Sequence, residues 1–389
     1  MLEICLTMIV KDEAAVIARC LASARPLIDR WCIVDTGSTD ATEEVVRAAL
    51  AGVPGTFYRR PWRGFGANRT EALELARADA PNAFALIVDA DDVLEIDSDG
   101  LVTSGEERAP GLSLAALRAR HEIASAGDVD GFMLEVALGS IRYHRMHLLR
   151  LNRGWRYEGV LHEYPTRGTA SVTPKLTKVR YRCVSDGARS QLADEVKYRR
   201  DAETLMAALE TEPDNARYVF YAAQSWRDAG EPELALELYD RRARMTNGFF
   251  EEVFVSLLEI AKLHDQLDHP DEDVWAAYLR AHAYRPVRIE ALYELTRFCR
   301  LTGQFALAWV FASAAYECKR PTTDVLFIAA EVYTWRMLDE YALAAYHTGR
   351  HARAIVINSA LLDLPELPDS ERPRIQKNLD WALGGKATP

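Results

Sequence analysis

Three aspartates lie within four positions, directly after an apolar run. Residues 85–88 (Ala-Leu-Ile-Val) precede Asp89, Asp91 and Asp92, which is typical of a buried strand that ends in oxygen ligands. Carboxylates this close stay ionised at low free-energy cost only when a cation or basic groups lie between them. Carboxylate oxygens are ligands that suit Mg²⁺ or Mn²⁺. The pattern favours a divalent-cation site that bridges the phosphates of a nucleotide diphosphate. For an Asp-x-Asp taken alone, a solvated turn or helix cap is the alternative.

A second candidate site follows another apolar run. Residues 31–34 (Trp-Cys-Ile-Val) precede Asp35, and residues 36–40 (Thr-Gly-Ser-Thr-Asp) form a turn of small polar residues. The turn offers free amides and a helix cap, which suit a nucleotide. Asp35, at the carboxyl end of a strand, could accept a hydrogen bond from a ribose or a base. A plain strand–helix connection is the alternative.

A third polar stretch connects a strand predicted near residues 56–58 to a helix predicted over 71–78. Gly64 and Gly66 predict a flexible loop, in which Trp62, Asn68 and Arg69 are candidates to contact a base or a phosphate. The alternative is a surface loop with one aromatic side chain packed against the core.

These stretches need a scaffold that brings them together, and the elements around them alternate. We predict strands over 3–10, 31–35 and 56–58 and before Asp89, with helices over 14–28, 41–50 and 71–78. A helix over 113–124 capped by Ser113 and strands over 130–136 and 143–151 follow. Polar groups at successive carboxyl ends of strands indicate a Rossmann-like α/β fold.

The ordered motifs resemble a family 2 glycosyltransferase with the GT-A fold. They are residues 8–13 (Met-Ile-Val-Lys-Asp-Glu), residues 34–40, the pair at 68–69 and residues 88–92. The resemblance implies a nucleotide-sugar donor and makes Asp89-x-Asp91 the DxD motif that holds a metal on its diphosphate. On this basis the donor-binding residues are Val10, Glu13, Asp35, Gly37, Ser38, Asn68, Arg69, Asp89 and Ala90. The order Asn68-Arg69 departs from the Arg-Asn order of many relatives.

Residues 154–163 resemble the stretch that closes the catalytic domain in a subset of this family, where a histidine completes the metal shell. His162 is therefore the predicted third ligand beside Asp89 and Asp91, because neutral imidazole suits Mn²⁺. A structural histidine beside Trp155 is the alternative. The resemblance further implies inversion at the anomeric carbon of the sugar.

Transfer to a hydroxyl or thiol acceptor requires a base. Glu163 is the first candidate because it follows His162 in the sequence, and Asp130 and Glu158 come next. Asp92 is expected to support the neighbouring site residues and not to act as the base itself.

From about residue 191 only helices are predicted. They cover 191–210, 216–229, 231–245, 250–266, 272–284, 287–301, 304–318, 322–347, 351–363 and 374–383. Ala-Ala-Tyr recurs at 276–278, 314–316 and 344–346, and Pro286 and Pro321 stand about 35 residues apart, which fits a tetratricopeptide-like array. An irregular bundle is the alternative. We therefore predict an α/β GT-A domain over 1–185 and an all-α TPR-like domain over 190–389.

The composition is that of a globular protein, with 49% hydrophobic and 27% charged residues among 389. A net charge of −11 argues against nucleic acid as the main partner. No stretch approaches the roughly 18 apolar residues of a membrane helix. Six cysteines without CxxC pairing and a strand-like amino terminus favour a reducing, cytoplasmic location.

The predicted partners are a nucleotide-diphosphate sugar and, because a helical array can hold an extended chain, a polypeptide or protein-linked glycan acceptor. The array could also form a homodimer. Three alternatives stay open: a polysaccharide or small-glycoside transferase, a non-catalytic adaptor with a degenerate transferase domain, and a nucleotidyl transferase. The presence of Asp35, Asp89 and Asp91 disfavours the hypothesis of a non-catalytic adaptor. Residues 155–163 disfavour nucleotidyl transfer.

Overall fold

A computed structural model describes residues 2–96, 114–184, 186–187 and 193–384. The predicted cap Ser113 lies outside the described residues. The chain divides into two compact units, Met1–Pro213 and Asp214–Pro389. The sequence-based domain limits of 1–185 and 190–389 stay a prediction. In the described residues, no helix has both the length and the apolar character that crossing a membrane requires.

The first unit is an α/β structure, as predicted. Its strands are β1 (Ile4–Val10), β2 (Arg30–Asp35), β3 (Gly55–Arg59), β4 (Phe84–Ile87), β5 (Val93–Ile96), β6 (Gly131–Leu138), β7 (Ile141–Arg150), β8 (Arg156–Glu158), β9 (Tyr164–Thr166) and β10 (Lys175–Arg182). Its helices are α1 (Ile17–Ala24), α2 (Thr42–Ala49), α3 (Phe65–Asp79), α4 (Leu114–Ser125) and α5 (Asp194–Thr211), with a 3₁₀ turn at Leu151–Arg153.

Eight of these strands form one mixed sheet in the order β3-β2-β1-β4-β7-β6-β10-β5, and β8 and β9 form a separate hairpin. Strands β3, β2, β1 and β4 run parallel to one another, so their carboxyl ends share one edge. Strand β7 is antiparallel to β4, with Leu86 opposite Leu148. The start of β7 therefore lies at the same edge as the end of β4.

The core lies on both faces of this sheet. Side chains alternate along a strand, so Leu6 and Met8 of β1 join one apolar cluster and Cys5 joins another with Leu73 of α3. Leu6 is fully buried. Burial on both faces explains why β1, β2 and β4 are almost continuously apolar until each strand ends.

Helix α3 begins at Phe65, earlier than the predicted start at residue 71. The prediction of a flexible loop through residues 64–70 is therefore wrong for Gly66, Asn68 and Arg69, which lie in the helix. Gly64, with φ of 103°, makes the turn before the helix. A Cβ on Gly66 would lie 3.0 Å from the carbonyl oxygen of Gly159, so close packing explains the glycine there.

The second unit is helical, as predicted. Its helices are α6 (Ala216–Asp228), α7 (Pro232–Arg244), α8 (Phe250–Gln266), α9 (Asp271–Tyr284), α10 (Glu290–Leu301), α11 (Phe305–Ala315), α12 (Met337–His347), α13 (His351–Asp363) and α14 (Arg372–Gly384). Helices α6 and α7, α8 and α9, α10 and α11, and α12 and α13 pack as sequential pairs. This arrangement is that of a helix-pair repeat.

The single helix predicted over 322–347 is wrong. Residues 328–329 are extended, 332–336 form a π-helical turn, and α12 begins only at Met337. The buried carboxylate of Glu251 accepts hydrogen bonds from the backbone of Val325 and Leu326. Phe327 has a φ of 47°. Backbone groups held in this way cannot join a right-handed helix.

Candidate functional site

Asp35 organises the turn after β2. Its carboxylate Oδ1 accepts hydrogen bonds from the backbone of Gly37 at 3.2 Å and from the backbone and hydroxyl of Ser38 at 2.9 Å and 2.7 Å. Asp35 is only 4% exposed, and Gly37 adopts a φ of 114° that side chains disfavour. The aspartate therefore fixes the turn and contributes to the wall of a cleft.

That cleft has a volume of about 380 Å³ and is lined by Asp35, Gly37, Ser38, Arg59, Arg60 and Pro61. Arg59 lies 2.6 Å from Glu43, and Arg60 lies 2.9 Å from Glu71. Both guanidinium groups are thus held by carboxylates at the rim. The volume lies in the range of small-ligand sites, and its lining suits a polar ligand.

The turns after β1 and β2 are joined by hydrogen bonds. The backbone of Asp12 donates to the Ser38 hydroxyl at 2.9 Å, and that of Glu13 donates to the Thr42 hydroxyl at 2.9 Å. The carbonyl of Val10, which is buried, accepts from the backbone of Thr36 at 2.9 Å. Two strand ends are therefore fixed relative to each other, which preorganises this edge.

The carboxylate of Asp89, which follows β4, contacts two guanidinium groups. Arg69 Nη2 lies 2.5 Å from Oδ1 and Arg145 Nη2 lies 3.4 Å from Oδ2. The Tyr181 hydroxyl donates to Oδ2 at 3.3 Å. Burial by itself raises the pKa of Asp89, but the charges of Arg69 and Arg145 outweigh it and hold the pKa below its ordinary value. Asp89 is therefore a carboxylate at neutral pH.

Arg69 also reaches the predicted base. Its Nε donates to Oε1 of Glu163 at 2.7 Å, so one guanidinium joins Asp89 to Glu163. The Arg69 side chain is 14% exposed and that of Glu163 is 12% exposed. The structure thus brings together three of the residues predicted from sequence, and it assigns to Arg69 the role of linking the other two.

Asp91 and Glu13 both approach Gly187. Oδ2 of Asp91 and Oε2 of Glu13 both lie 3.0 Å from the position that a Cβ on Gly187 would take. Oδ2 of Asp91 accepts a hydrogen bond from the Gly187 backbone at 3.1 Å. The backbone carbonyl of Asp91 accepts from Arg19 at 2.7 Å. The predicted donor residue Glu13 therefore belongs to the same acidic edge as Asp91.

Asp92 faces inward and is 5% exposed, and Ala90 is also buried. Oδ1 of Asp92 accepts a hydrogen bond from the Val184 backbone at 2.9 Å. Burial and the nearby charge of Asp89 raise the pKa of Asp92 to about 6. The residue ties the end of β4 to the chain that follows β10.

The donor set fits a divalent cation only in part. Within the described ranges, no three His, Cys, Asp or Glu side chains are grouped to hold a metal ion. Asp89 is engaged by Arg69 and Arg145, whereas the carboxylates of Asp91 and Glu13 both lie close to Gly187. A cation that takes one or two carboxylates and completes its shell with phosphate oxygens and water fits this arrangement. Metal ligation by Asp89, Asp91 and His162 stays a prediction; His162 has an exposed side chain and a φ of 51°.

Three other predicted site residues bind partners outside this cluster. Asn68 is fully buried and binds the preceding loop, accepting from Arg63 N at 2.8 Å and donating to Pro61 O at 3.1 Å. Asp130 precedes β6, beside Arg150, which pairs with Phe84 at the start of β4. Asp130 therefore lies at the opposite edge of the sheet from Asp89. Glu158, on β8, lies 2.5 Å from Arg156.

His147 is a site residue that sequence reasoning did not select. Its Nδ1 donates to the carbonyl of Ile87 at 2.8 Å, its Nε2 accepts from Arg145 Nε at 3.2 Å, and its ring stacks on Tyr181 at 4.0 Å. Burial and the charge of Arg145 lower the pKa of His147 to about 3, so the imidazole is neutral. The alternation of β7, which places positions 145 and 147 on one face, was the available signal.

The comparisons with known proteins agree with this geometry. Residues 5–101, which carry Asp35, Arg69 and Asp89, match the sequence profile of glycosyl transferase family 2. Over these residues the chain is similar to that family. The predicted combination of an α/β domain with an all-helical region of packed helix pairs is confirmed.

Beyond the glycosyltransferase domain match, a TPR repeat-containing protein of Synechococcus elongatus is 29% identical over 164 residues, or 42% of this chain and 35% of that protein. The chain thus spans about a third of the length of this curated relative. Among solved structures, a tetratricopeptide repeat protein from Parabacteroides merdae has a TM-score of 0.38 at 18% identity, covering 49% of this chain and 69% of that one. TarS residues 1-349 of S. aureus has a TM-score of 0.34 at 13% identity, covering 73% and 87%.

Proposed function

We propose that this protein is a glycosyltransferase that moves a sugar from a nucleotide-diphosphate donor to an acceptor hydroxyl or thiol. The observation that carries the proposal is the placement of Asp35 and Asp89, within the family 2 match, at one edge of the sheet on either side of β1. Ligands of open α/β sheets bind at this edge.

The Asp35 cleft is proposed to bind the nucleotide. Asp35 uses Oδ1 on Gly37 and Ser38, and its Oδ2 is proposed to accept a hydrogen bond from a ribose or base. Arg59 and Arg60 line the same cleft. Asp89, fixed as an anion by Arg69, is proposed to face the sugar side of the donor.

Asp91, whose carboxylate lies close to Gly187 together with that of Glu13, is proposed to hold Mn²⁺ or Mg²⁺. When bound, such a cation supplies charge neutralisation to a departing diphosphate. His162 and Asp89 are the further proposed ligands.

Glu163 is proposed as the general base, ahead of Glu158 and Asp130. The acceptor O–H or S–H loses its proton to the Glu163 carboxylate as its oxygen or sulfur bonds to the anomeric carbon. The bond from that carbon to the donor phosphate oxygen breaks at the same time, and the nucleoside diphosphate leaves with the electron pair. Attack from the face opposite the leaving group inverts the anomeric carbon. The ion pair with Arg69 fixes the position of the Glu163 carboxylate.

The helical unit is proposed to hold a polypeptide or protein-linked glycan acceptor or to form a homodimer, and the site of action is proposed to be cytoplasmic. Helix-pair arrays present extended surfaces that suit such partners. A polysaccharide or small-glycoside acceptor is the alternative, with the helices used for assembly.

The test is release of nucleoside diphosphate from a panel of nucleotide sugars by the purified chain, with Mn²⁺ and with EDTA. Release from one donor that requires the cation supports the transferase. No release and no thermal shift with any donor would contradict the proposal and favour a non-catalytic adaptor.

A further inference from the structure

Arg145 lies at the same edge of the sheet as the proposed donor residues. The ladder between β4 and β7 ends at Leu86 and Leu148; extending the same antiparallel register by three residues places Arg145 of β7 opposite Asp89, which follows β4. The contact between Arg145 Nη2 and Asp89 Oδ2, at 3.4 Å, agrees with this register. The guanidinium therefore stands beside the proposed donor site.

Arg145 makes the weaker of the two guanidinium contacts to Asp89. Arg69 already contacts Asp89 at 2.5 Å with a side chain that is 14% exposed, whereas Arg145 is farther away and 42% exposed. Within the described residues, the hydrogen bonds of Arg145 use Nε and Nη2. A guanidinium with five N–H groups thus keeps donors that face solvent.

The side chains of His147 and Tyr181 nevertheless fix the orientation of the Arg145 guanidinium. The lone pair on Nε2 of His147 accepts the Nε–H of Arg145 at 3.2 Å, and the guanidinium lies 5.2 Å from the centre of the Tyr181 ring. His147 is 1% exposed and is itself held by the Ile87 carbonyl at 2.8 Å. A chain of hydrogen bonds therefore runs from the backbone of β4 through His147 to Arg145.

We propose that Arg145 binds a phosphate oxygen of the donor and of the nucleoside diphosphate product, and that His147 is the positioning residue that orients it. A planar guanidinium held at Nε can present its outer N–H groups to a phosphate. This inference rests on the proposed function, because it assigns the diphosphate part of the same site. It adds a cationic phosphate contact from β7 to the donor contacts proposed for residues 5–101.

The experiment measures binding of UDP, GDP, CDP, ADP and dTDP, each at a fixed Mg²⁺ concentration, by isothermal titration calorimetry. The nucleotide that binds is then compared with its nucleoside, measured by competition. Arg145→Gln should weaken nucleoside diphosphate binding tenfold or more and leave nucleoside binding within about twofold. Arg145→Lys should lie between. Arg150→Gln is the matched control, because Arg150 lies on the same strand at the opposite edge of the sheet.

His147→Leu removes the acceptor for Arg145, and His147→Gln retains one. We expect about tenfold weaker binding of nucleoside diphosphate for His147→Leu and recovery to within about threefold for His147→Gln. Equal binding by both variants and the wild type would overturn the positioning role of His147.

The remaining outcomes separate the two proposals. If wild-type protein binds a nucleoside diphosphate and Arg145→Gln binds it equally well, the phosphate role is overturned and the proposed function stands. If Arg145→Gln weakens diphosphate and nucleoside binding alike, Arg145 is only structural. If the wild type binds none of the five, the proposed function and this inference both fail.

Discussion

Arg69 of helix α3 donates through Nε to Oε1 of Glu163 at 2.7 Å. Its Nη2 lies 2.5 Å from Asp89 at the end of β4. The carboxylate that we propose as the base and the carboxylate that we place beside the donor sugar are therefore held by one guanidinium. The separation of these two groups is set by the position of α3.

Arg69→Met should leave both carboxylates without this partner. Loss of one member of a buried ion pair costs roughly 3–5 kcal/mol, and the partial exposure of Asp89 reduces the expected loss to about 1–3 kcal/mol. Urea unfolding measures the change. Arg47→Met, which removes an exposed contact with Glu43, should leave the free energy of unfolding nearly unchanged. Equal losses for the two variants would contradict a structural role for Arg69.

Substitution of the candidate bases should separate them. Glu163→Gln should lower kcat by about 10²-fold or more if Glu163 takes the acceptor proton. Asp130→Asn should leave kcat nearly unchanged, because Asp130 lies at the other edge of the sheet, where it pairs with Arg153 and Arg167. Steady-state kinetics on folded protein decides the assignment. A large loss in Asp130→Asn with full activity in Glu163→Gln would reverse it.

His147 should make the protein less stable in mild acid. Its pKa is about 3 in the folded chain and 6.5 ordinarily, so between these values the unfolded chain binds a proton that the folded chain does not. Stability therefore falls as pH falls, by about 1.4 kcal/mol per pH unit from this group. From pH 7 to pH 5 the wild type should lose about 2 kcal/mol more than His147→Gln. An equal loss of stability between pH 7 and pH 5 in both proteins would contradict a neutral buried imidazole.

Asp92 should have the opposite dependence. Its pKa rises from 3.8 to about 6 on folding, so the cost of its buried charge is full above pH 6 and absent below about pH 4. Asp92→Asn keeps an oxygen acceptor for the Val184 backbone. In EDTA at pH 7.5 the variant should be about 1–3 kcal/mol more stable than the wild type, and equal to it near pH 4. A less stable variant at pH 7.5 would refute this account.

The strand ends that carry Asp35 and Asp89 could be predicted because each follows a continuous apolar run, and strands buried on both faces have this signature. Their meeting at one edge followed from the parallel order implied by alternating helices. Asn68 could not be placed correctly, because Gly64 and Gly66 resemble a loop in sequence. Only the close approach of Gly159 shows why a glycine lies inside the helix.

Residues from the antiparallel strands were harder to assign. Which edge a residue occupies depends on strand direction, and this separates Asp130 from Asp89 although both adjoin strands of one sheet. His147 was missed because its partners, Ile87 and Tyr181, are distant in sequence. The break before α12 was missed for a similar reason, since it depends on Glu251 of another helix.

The most direct test of the central claim is turnover of the identified nucleotide sugar by Asp91→Asn beside Glu44→Gln, which removes an exposed carboxylate of α2 in the same domain. We expect Asp91→Asn to fold normally and to lose cation-dependent release of nucleoside diphosphate, while Glu44→Gln keeps the wild-type rate. Full activity of Asp91→Asn would contradict the proposal that this edge of the sheet is a cation-dependent glycosyltransferase site.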